Sequence, residues 1–195
     1  MKKDISGIIL AGGKNSRMGV NKAFLEVDGI HLIEKTLNIY RQIFNEIIIV
    51  TNDPLAYVEF ADAAIVTDIY KCMGPLGGLY TGLFYAKNSY AFVSACDMPF
   101  LNKDFIFYLI NQTGKYDIVV PELPEGFQAL HAVYSRNCLF AMKRMIDTAA
   151  ELKITGFYKE VRILCITEEK IKPFEKDGRI FLNLNTPEEL KAYQQ

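Results

Sequence analysis

The segment of this sequence best suited to chemistry is a glycine-rich loop with basic side chains at residues 10–22. Glycine lets a backbone turn sharply and approach a ligand, so that its N–H groups can face anionic oxygens. Arginine adds a bidentate fork for phosphate, and lysine adds a mobile positive charge. The glycines are Gly12, Gly13 and Gly19, and the basic residues are Lys14, Arg17 and Lys22. These residue types predict a phosphate-binding loop.

This loop fits neither of two common phosphate-binding motifs. Gly13 and Gly19 are separated by one residue too many for a P-loop, and Val20 stands where that motif has lysine. The sequence also contains no G-x-G-x-x-G, which excludes the dinucleotide-binding fingerprint. An ordinary solvated turn is the alternative interpretation of the composition alone.

A second candidate is the carboxylate of Asp97, which follows a short apolar run at residues 90–95. Open α/β sheets bind ligands at the carboxyl ends of their strands, which is where we expect both this residue and the glycine-rich loop. A carboxylate there can hold Mg²⁺, which prefers one or two carboxylates together with phosphates and water. Because Pro99 follows closely, a simple turn-forming aspartate is the alternative.

Short apolar runs alternate with helical patterns along the first half of the chain. Runs that are continuously apolar are typical of strands covered on both faces, and hence of a parallel sheet. The alternation predicts an α/β fold with a doubly wound, mostly parallel, Rossmann-like sheet flanked by helices. The predicted strands cover residues 5–10, 46–50, 64–66 and 90–95, and the predicted helices lie within residues 32–44, 76–84 and 105–110.

The second half of the chain is less regular. Residues 121–126 are rich in proline and glutamate, which predicts an exposed loop. Further strands are predicted at residues 118–120, 129–134, 161–166 and 181–184, with a helix at residues 139–146. A closing helix is predicted after residue 185, because Thr186 can cap it, Pro187 suits its first position and Glu189 completes a capping box.

The overall composition excludes several classes of protein. The 195 residues include 22 Lys and Arg against 23 Asp and Glu, and half are hydrophobic. This balance is typical of a globular protein and argues against a general nucleic-acid or membrane-surface binder. The four cysteines form no C-x-x-C pair and are predicted to be reduced. With no apolar run long enough for a membrane span, we expect a soluble cytoplasmic protein.

Four segments of the sequence resemble the MobA-like nucleotidyltransferases, and most closely the molybdenum cofactor guanylyltransferases. Residues 10–22 resemble the phosphate loop of that family, and residues 74–79 resemble its G-P-L-x-G element. Residues 96–101 resemble its C-D-x-P element, and residues 183–190 its N-x-N-T-P-E-E-L ending. The resemblance implies one nucleotidyltransferase domain over residues 1–195, with a nucleotide-binding half (1–120) and an acceptor-side half with a closing helix (121–195).

The resemblance also implies roles for individual residues. The expected nucleotide-binding residues are Leu10, Ala11, Gly12, Gly13, Lys22, Asn52, Asp68 and Asp97, the expected catalytic residues are Arg17, Lys22 and Asp97, and the expected metal ligands are Asp97 and Asn185. Simpler roles stay open for three of them: Asn52 as a turn residue, Asp68 as a solvated strand end and Asn185 as a helix cap. His131 lies in a segment where the family has proline at the position of Ala129, so a pterin contact and a packed strand histidine are both open.

The reaction implied is transfer of GMP from GTP to a molybdopterin-type cofactor, with release of pyrophosphate. A phosphate oxygen of the acceptor attacks the α-phosphorus in line, which requires positioning and charge neutralisation more than a protein nucleophile. Arg17 and Lys22 are expected to offset the developing charge. Mg²⁺ held by Asp97 is expected to bridge phosphate oxygens.

Three alternatives remain at this point. Cytidylyltransferases acting on the same cofactor usually have alanine at the position of Gly12, which therefore favours GTP. Sugar-phosphate nucleotidyltransferases carry a different loop. A non-catalytic scaffold that escorts the cofactor could have lost Lys22 or Asp97, and both are present. The implied partners are molybdenum-insertion proteins and apo-molybdoenzymes or their chaperones, without nucleic acid or membrane.

Overall fold

The fold is built around one mostly parallel sheet with helices on both faces. The computed structural model describes residues 3–12, 21–148, 152–175 and 177–184. Within them the strands are β1 (Lys3–Leu10), β2 (Glu26–Val27), β3 (Ile30–His31), β4 (Phe44–Val50), β5 (Ala64–Val66), β6 (Tyr90–Ala95), β7 (Ile118–Leu123), β8 (Gly126–Phe127), β9 (His131–Ser135) and β10 (Ile163–Ile166). The helices are α1 (Leu32–Ile43), α2 (Gly74–Tyr85), α3 (Lys103–Asn111), α4 (Cys138–Thr148) and α5 (Glu168–Ile171).

The main sheet has the strand order β10-β7-β9-β6-β1-β4-β5, with β8 paired to β7 and with β2 and β3 forming a separate ribbon. Neighbouring strands are parallel except where β9 pairs antiparallel to β6 and β7, and where β8 pairs antiparallel to β7. β1 lies between β4 and β6, with Leu10 level with Val50 and Ala95. The carboxyl ends of β1, β4 and β6 therefore meet at one edge.

Two apolar layers cover the faces of this sheet. On one face α1 buries a stripe at helical spacing, and α3 and α5 pack beside it. On the other face α2 and α4 pack against the same strands. None of the described helices is long and apolar enough to cross a membrane.

Glycines let α2 approach β1 closely. A Cβ atom at Gly82 would lie 2.6 Å from Cγ2 of Ile8, a stiff side chain in the buried core. A Cβ atom at Gly78, one turn earlier, would meet Leu10 at an ordinary 3.4 Å. The close approach brings the start of α2 to the edge where β1 ends.

The amino-terminal ends of β7 and β10 are joined by a network around Asp117. Its carboxylate accepts hydrogen bonds from the backbone N–H and the guanidinium of Arg162 and from the amide of Asn137. These bonds lower the pKa of Asp117 to about 2 despite its burial. The carboxylate therefore stabilises the fold above its ordinary pKa, and this contribution is lost as the pH falls towards 2.

Most of the predicted elements are confirmed, and two predictions for the second half are wrong. Residues 181–184 form no strand; Leu182 donates to the Arg179 carbonyl in a turn, and Leu184 donates to the Asp97 carbonyl. The predicted loop at residues 121–126 is largely a hairpin, because β7 continues to Leu123 and turns back into β8. The closing helix predicted after residue 185 lies outside the described residues.

We predict that Gly82→Ala lowers the free energy of unfolding by about 1–3 kcal/mol, because the added methyl group overpacks the contact with Ile8. Gly78→Ala is the matched control in the same helix. It should be neutral or slightly stabilising, since its methyl group meets ordinary contacts and alanine favours a helix. Urea unfolding of both variants measures the difference. Equal stability of the two variants would show that the α2–β1 approach is not tight at Gly82.

Candidate active site

A cleft of about 620 Å³ lies at the carboxyl edge of the sheet, between the ends of β1, β4 and β6 and the start of α2. Every predicted nucleotide-binding residue that the structure describes lines it. Its walls consist of Leu10, Ala11, Gly12, Asn21, Lys22, Val50, Asn52, Asp68, Cys72, Gly74, Pro75, Gly78, Ala95, Cys96, Asp97, Leu130, Leu152 and Asn183. Gly13, Arg17 and Asn185 lie outside the described residues.

The backbone where β1 ends is held firmly on both sides. The N–H of Ala11 donates to the Val50 carbonyl at 2.9 Å, and the N–H of Cys96 donates to the Leu10 carbonyl at 3.1 Å. The sheet ladder thus continues past the last residue of β1. Gly12 follows Ala11 and lines the cleft. A Cβ atom on Gly12 would lie 3.8 Å from the side-chain nitrogen of Asn52. The absent side chain keeps the backbone accessible beside Asn52.

Lys22 enters the cleft from a short 3₁₀ helix, Lys22–Phe24. Asn21 caps this helix, since its side-chain oxygen accepts from the N–H of Ala23 at 3.2 Å. The Lys22 ammonium lies 3.9 Å from Oδ2 of Asp97, with 39% of the lysine side chain exposed. The structure therefore brings together Lys22 and Asp97, which lie far apart in the sequence.

The Asp97 carboxylate uses only part of its hydrogen-bonding capacity among the described residues. Its side chain is 18% exposed, and among the described residues its Oδ1 atom is buried without a hydrogen-bond partner. Burial raises the pKa of Asp97, and the charge of Lys22 and a backbone hydrogen bond offset part of this effect. An oxygen with an unused lone pair, in the same cleft as Gly12 and Lys22, fits a hard divalent cation such as Mg²⁺. The described residues contain no cluster of three or more potential metal ligands, so phosphate and water oxygens would have to complete such a site.

A second polar pair lies at the ends of β4 and β5. The Asn52 amide donates to Oδ2 of Asp68 at 2.8 Å. Burial raises the pKa of Asp68, and the bond from Asn52 lowers it again in part. The bond orients the amide, so that its oxygen and the carboxylate offer hydrogen-bond acceptors side by side.

Several cleft residues were not among the predicted site residues. Gly74, Pro75 and Gly78 belong to a segment whose resemblance to the family marked it, and the structure shows why: it begins α2 at the cleft. Asn21 lies within the glycine-rich segment 10–22, and its role as the N-cap of the 3₁₀ helix could have been recognised there. Cys72, Leu130 and Leu152 carried no signal in the sequence, because chain folding alone brings them to the cleft.

His131 begins β9 and is packed inside the protein. Its ring contacts Phe92, Phe105 and Phe181, and its two ring nitrogens have no hydrogen-bond partner among the described residues. Burial lowers the pKa of His131 to about 3, so the ring is neutral in the physiological range. The packing favours the structural role that the sequence left open.

The cysteines are free thiols, as the sequence predicted. Cys96 and Cys138 are buried, Cys165 is partly buried, and Cys72 is exposed. Burial raises the pKa of Cys96 and of Cys138 to about 12, which leaves both protonated and unreactive at neutral pH.

The cleft and the doubly wound sheet define a nucleotide-binding α/β protein, and comparisons with known proteins agree. Residues 7–161 match the family described as MobA-like NTP transferase domain. A molybdenum cofactor guanylyltransferase from Desulfosudis oleivorans is 38% identical, over 96% of this chain and 93% of that protein. A probable molybdenum cofactor guanylyltransferase from Clostridium perfringens is 39% identical, over 94% and 93%. This chain therefore belongs to the MobA-like NTP transferases, within the family of the molybdenum cofactor guanylyltransferases.

Solved structures support the same fold. Molybdopterin-guanine dinucleotide biosynthesis protein A from Archaeoglobus fulgidus superimposes with a TM-score of 0.83 at 24% identity, covering 97% of both chains. The 2-C-methyl-D-erythritol 4-phosphate cytidylyltransferase from Thermus thermophilus gives a TM-score of 0.72 at 14% identity, covering 96% of both. The predicted fold class, a mostly parallel sheet of the nucleotidyltransferase type, is confirmed.

We predict that Asp97→Asn leaves the ligand-free protein as stable as the wild type or raises its melting temperature. The folded environment raises the pKa of Asp97, which means that folding disfavours its charged form, and a neutral amide removes that penalty.

Asp117→Asn is the matched control with the opposite expectation. This change disrupts the hydrogen bonds between the Asp117 carboxylate and Arg162, and it should lower the free energy of unfolding by about 1–3 kcal/mol. Thermal unfolding at neutral pH compares the two variants. A clear loss of stability in Asp97→Asn would show that this carboxylate supports the fold.

Proposed function

We propose that this chain transfers GMP from GTP to the molybdenum cofactor, forming the guanine dinucleotide form of the cofactor and pyrophosphate in a Mg²⁺-dependent reaction. The observation that carries the proposal is the convergence of Lys22 and Asp97, 3.9 Å apart, beside the exposed backbone of Gly12. A cation, a carboxylate and an open backbone in one cleft are the components that phosphoryl transfer requires. The names of the relatives supply the substrates.

Lys22, Gly12, Asn52 and Asp68 each have a definite task in this proposal. Lys22 neutralises charge that develops on the phosphates, and the backbone at Gly12 allows them to approach. Asn52 and Asp68 present acceptor oxygens, which suit the N1–H and N2–H₂ donors on the edge of guanine. Because these acceptors are already oriented, less conformational entropy is lost when the base binds.

Asp97 would hold Mg²⁺ through its carboxylate. The bound ion would stabilise the negative charge of the phosphates and orient them. The role of the protein is to keep Asp97 ionised in a buried position, and the neighbouring Lys22 favours the ionised form. No protein base is needed for the attack, because the terminal phosphate of the acceptor is already largely ionised near neutral pH.

The cleft lining also includes Leu130 and Leu152, which add apolar surface. We propose that these two side chains contact the molybdopterin-type substrate. We also propose the partners and the location that the sequence led us to expect. The partners are molybdenum-insertion proteins and apo-molybdoenzymes or their chaperones, and the location is the cytoplasm.

An assay with four nucleotides tests the proposal directly. Purified protein with Mg²⁺ and molybdopterin should release pyrophosphate with GTP and far less with CTP, ATP or UTP. The assay should also identify the guanine dinucleotide product, and chelation of Mg²⁺ should stop turnover. Preference for CTP would identify a cytidylyltransferase, and turnover with none of the four would favour a cofactor-binding scaffold.

Lys22→Ala should lower kcat/KM for GTP by roughly ten- to a thousandfold, the effect of removing one preorganised charge donor from a transition state. The matched control is Lys35→Ala, which removes a lysine of α1 that pairs with Asp28 at 2.7 Å. That variant should keep wild-type kinetics. Steady-state pyrophosphate release measures both, and unchanged kinetics in Lys22→Ala would place Lys22 outside the reaction.

A further inference from the structure

A buried tyrosine hydroxyl connects the two chain segments that form the phosphate side of the cleft. Tyr57 ends the 3₁₀ helix Pro54–Tyr57 that follows β4, and it is fully buried. Its Oη atom lies 3.3 Å from the carbonyl oxygen of Ala11 and 3.2 Å from Nδ2 of Asn21. Ala11 immediately precedes Gly12, and Asn21 immediately precedes Lys22. The hydroxyl thus contacts the residue before each of two cleft residues.

The cap on the 3₁₀ helix determines the direction of these hydrogen bonds. Oδ1 of Asn21 accepts from the N–H of Ala23, which orients the amide so that Nδ2 donates to Tyr57. The single proton of the tyrosine is then available to the Ala11 carbonyl, since the approach of Oη to Oδ1 of Asn21 is longer at 3.4 Å. Burial raises the pKa of Tyr57 to about 12, so this proton is retained at neutral pH. A continuous chain of donors runs from Ala23 through Asn21 and Tyr57 to Ala11.

The ring of Tyr57 is held independently of this chain. It packs against Phe24 and Phe60, with ring centroids 5.2 and 6.3 Å away. Ala11 is anchored separately through its N–H, which bonds to Val50. Removal of the hydroxyl alone should therefore leave the packing in place and remove the connection between Ala11 and Asn21, together with an interaction with the Thr51 side chain.

We propose that Tyr57 is a positioning residue whose hydroxyl fixes Lys22 relative to Gly12 through Asn21 and Ala11. The kinetic part of this inference rests on the function proposed above. Tyr57 is buried and acts through its two neighbours, without contact with the substrate. When the connection is lost, the Lys22 ammonium no longer has a defined position relative to Asp97 and to the phosphates, and small errors of position weaken electrostatic stabilisation of a transition state.

Tyr57→Phe tests the proposal, and Tyr40→Phe is its matched control. Tyr40 is equally buried, and its hydroxyl lies 3.0 Å from the carbonyl oxygen of Ile8 in β1 and 2.8 Å from Ser94. Both variants lose one buried hydroxyl, so both should lose stability to a similar degree. Tyr57→Phe should raise the KM for GTP and lower kcat/KM about tenfold. Tyr40→Phe should keep the wild-type constants.

Amide hydrogen exchange at Ala23 provides a readout that does not depend on activity. Exchange at this N–H should become faster in Tyr57→Phe and stay unchanged in Tyr40→Phe, because the first change alone loosens the Asn21 cap. Asn21→Ser keeps a capping oxygen but removes the amide donor to Tyr57. Its effect on kcat/KM should therefore not add to that of Tyr57→Phe in the double variant.

The outcomes separate this inference from the proposed function. Three results would each overturn the positioning role. They are wild-type kinetic constants in Tyr57→Phe, equal kinetic effects of Tyr57→Phe and Tyr40→Phe, and unchanged amide exchange at Ala23 in Tyr57→Phe. If the wild-type protein does not turn over GTP, the proposed function fails. In that case the exchange of Ala23 still decides whether the hydroxyl holds the two segments together.

Discussion

The hydrogen-bond ladder that holds β1 between β4 and β6 is the constraint on which the cleft depends. Leu10 is level with Val50 and Ala95, and the bonds of Ala11 and Cys96 continue the ladder beyond the strand. Because these strands are parallel and in this register, the residues that follow them emerge at one edge. A slip by one residue would turn each side chain to the opposite face, so the apolar pattern of the strands also defines the geometry of the site.

Two carboxylates of this protein illustrate how stability and function make different demands on a buried charge. Arg162 and Asn137 surround Asp117 with donors and keep its pKa low. Asp97 is also largely enclosed, but one oxygen lacks a partner among the described residues, and its pKa is raised. A carboxylate kept in a cleft with an unsatisfied oxygen is typical of a site that is completed by a ligand. The proposed metal and nucleotide would satisfy it.

Prediction of the fold succeeded where a run of residues had one consistent environment. The continuous apolar runs of β1, β4 and β6 identify strands covered on both faces. The prediction was wrong at residues 181–184, where we expected a last strand. There Leu184 is buried beside the Asp97 backbone while Asn183 faces the cleft, and this arrangement depends on contacts with distant residues. The hairpin of β7 and β8 was missed because the proline-rich composition concealed its pairing.

Most strands and helices, the family resemblance and most of the chemical groups at the cleft could be predicted from the sequence, because these follow from local patterns and from residue types at the ends of strands. How these groups act on one another follows from the folded structure alone. The 3.9 Å approach of Lys22 to Asp97, the bond between Asn52 and Asp68 and the bridge from Tyr57 to Ala11 and Asn21 join residues from separate segments. Such pairs form when strands align and helices pack, and burial then raises the pKa of Asp97 and lowers that of His131. Burial is a property of the folded chain as a whole, which no local pattern specifies.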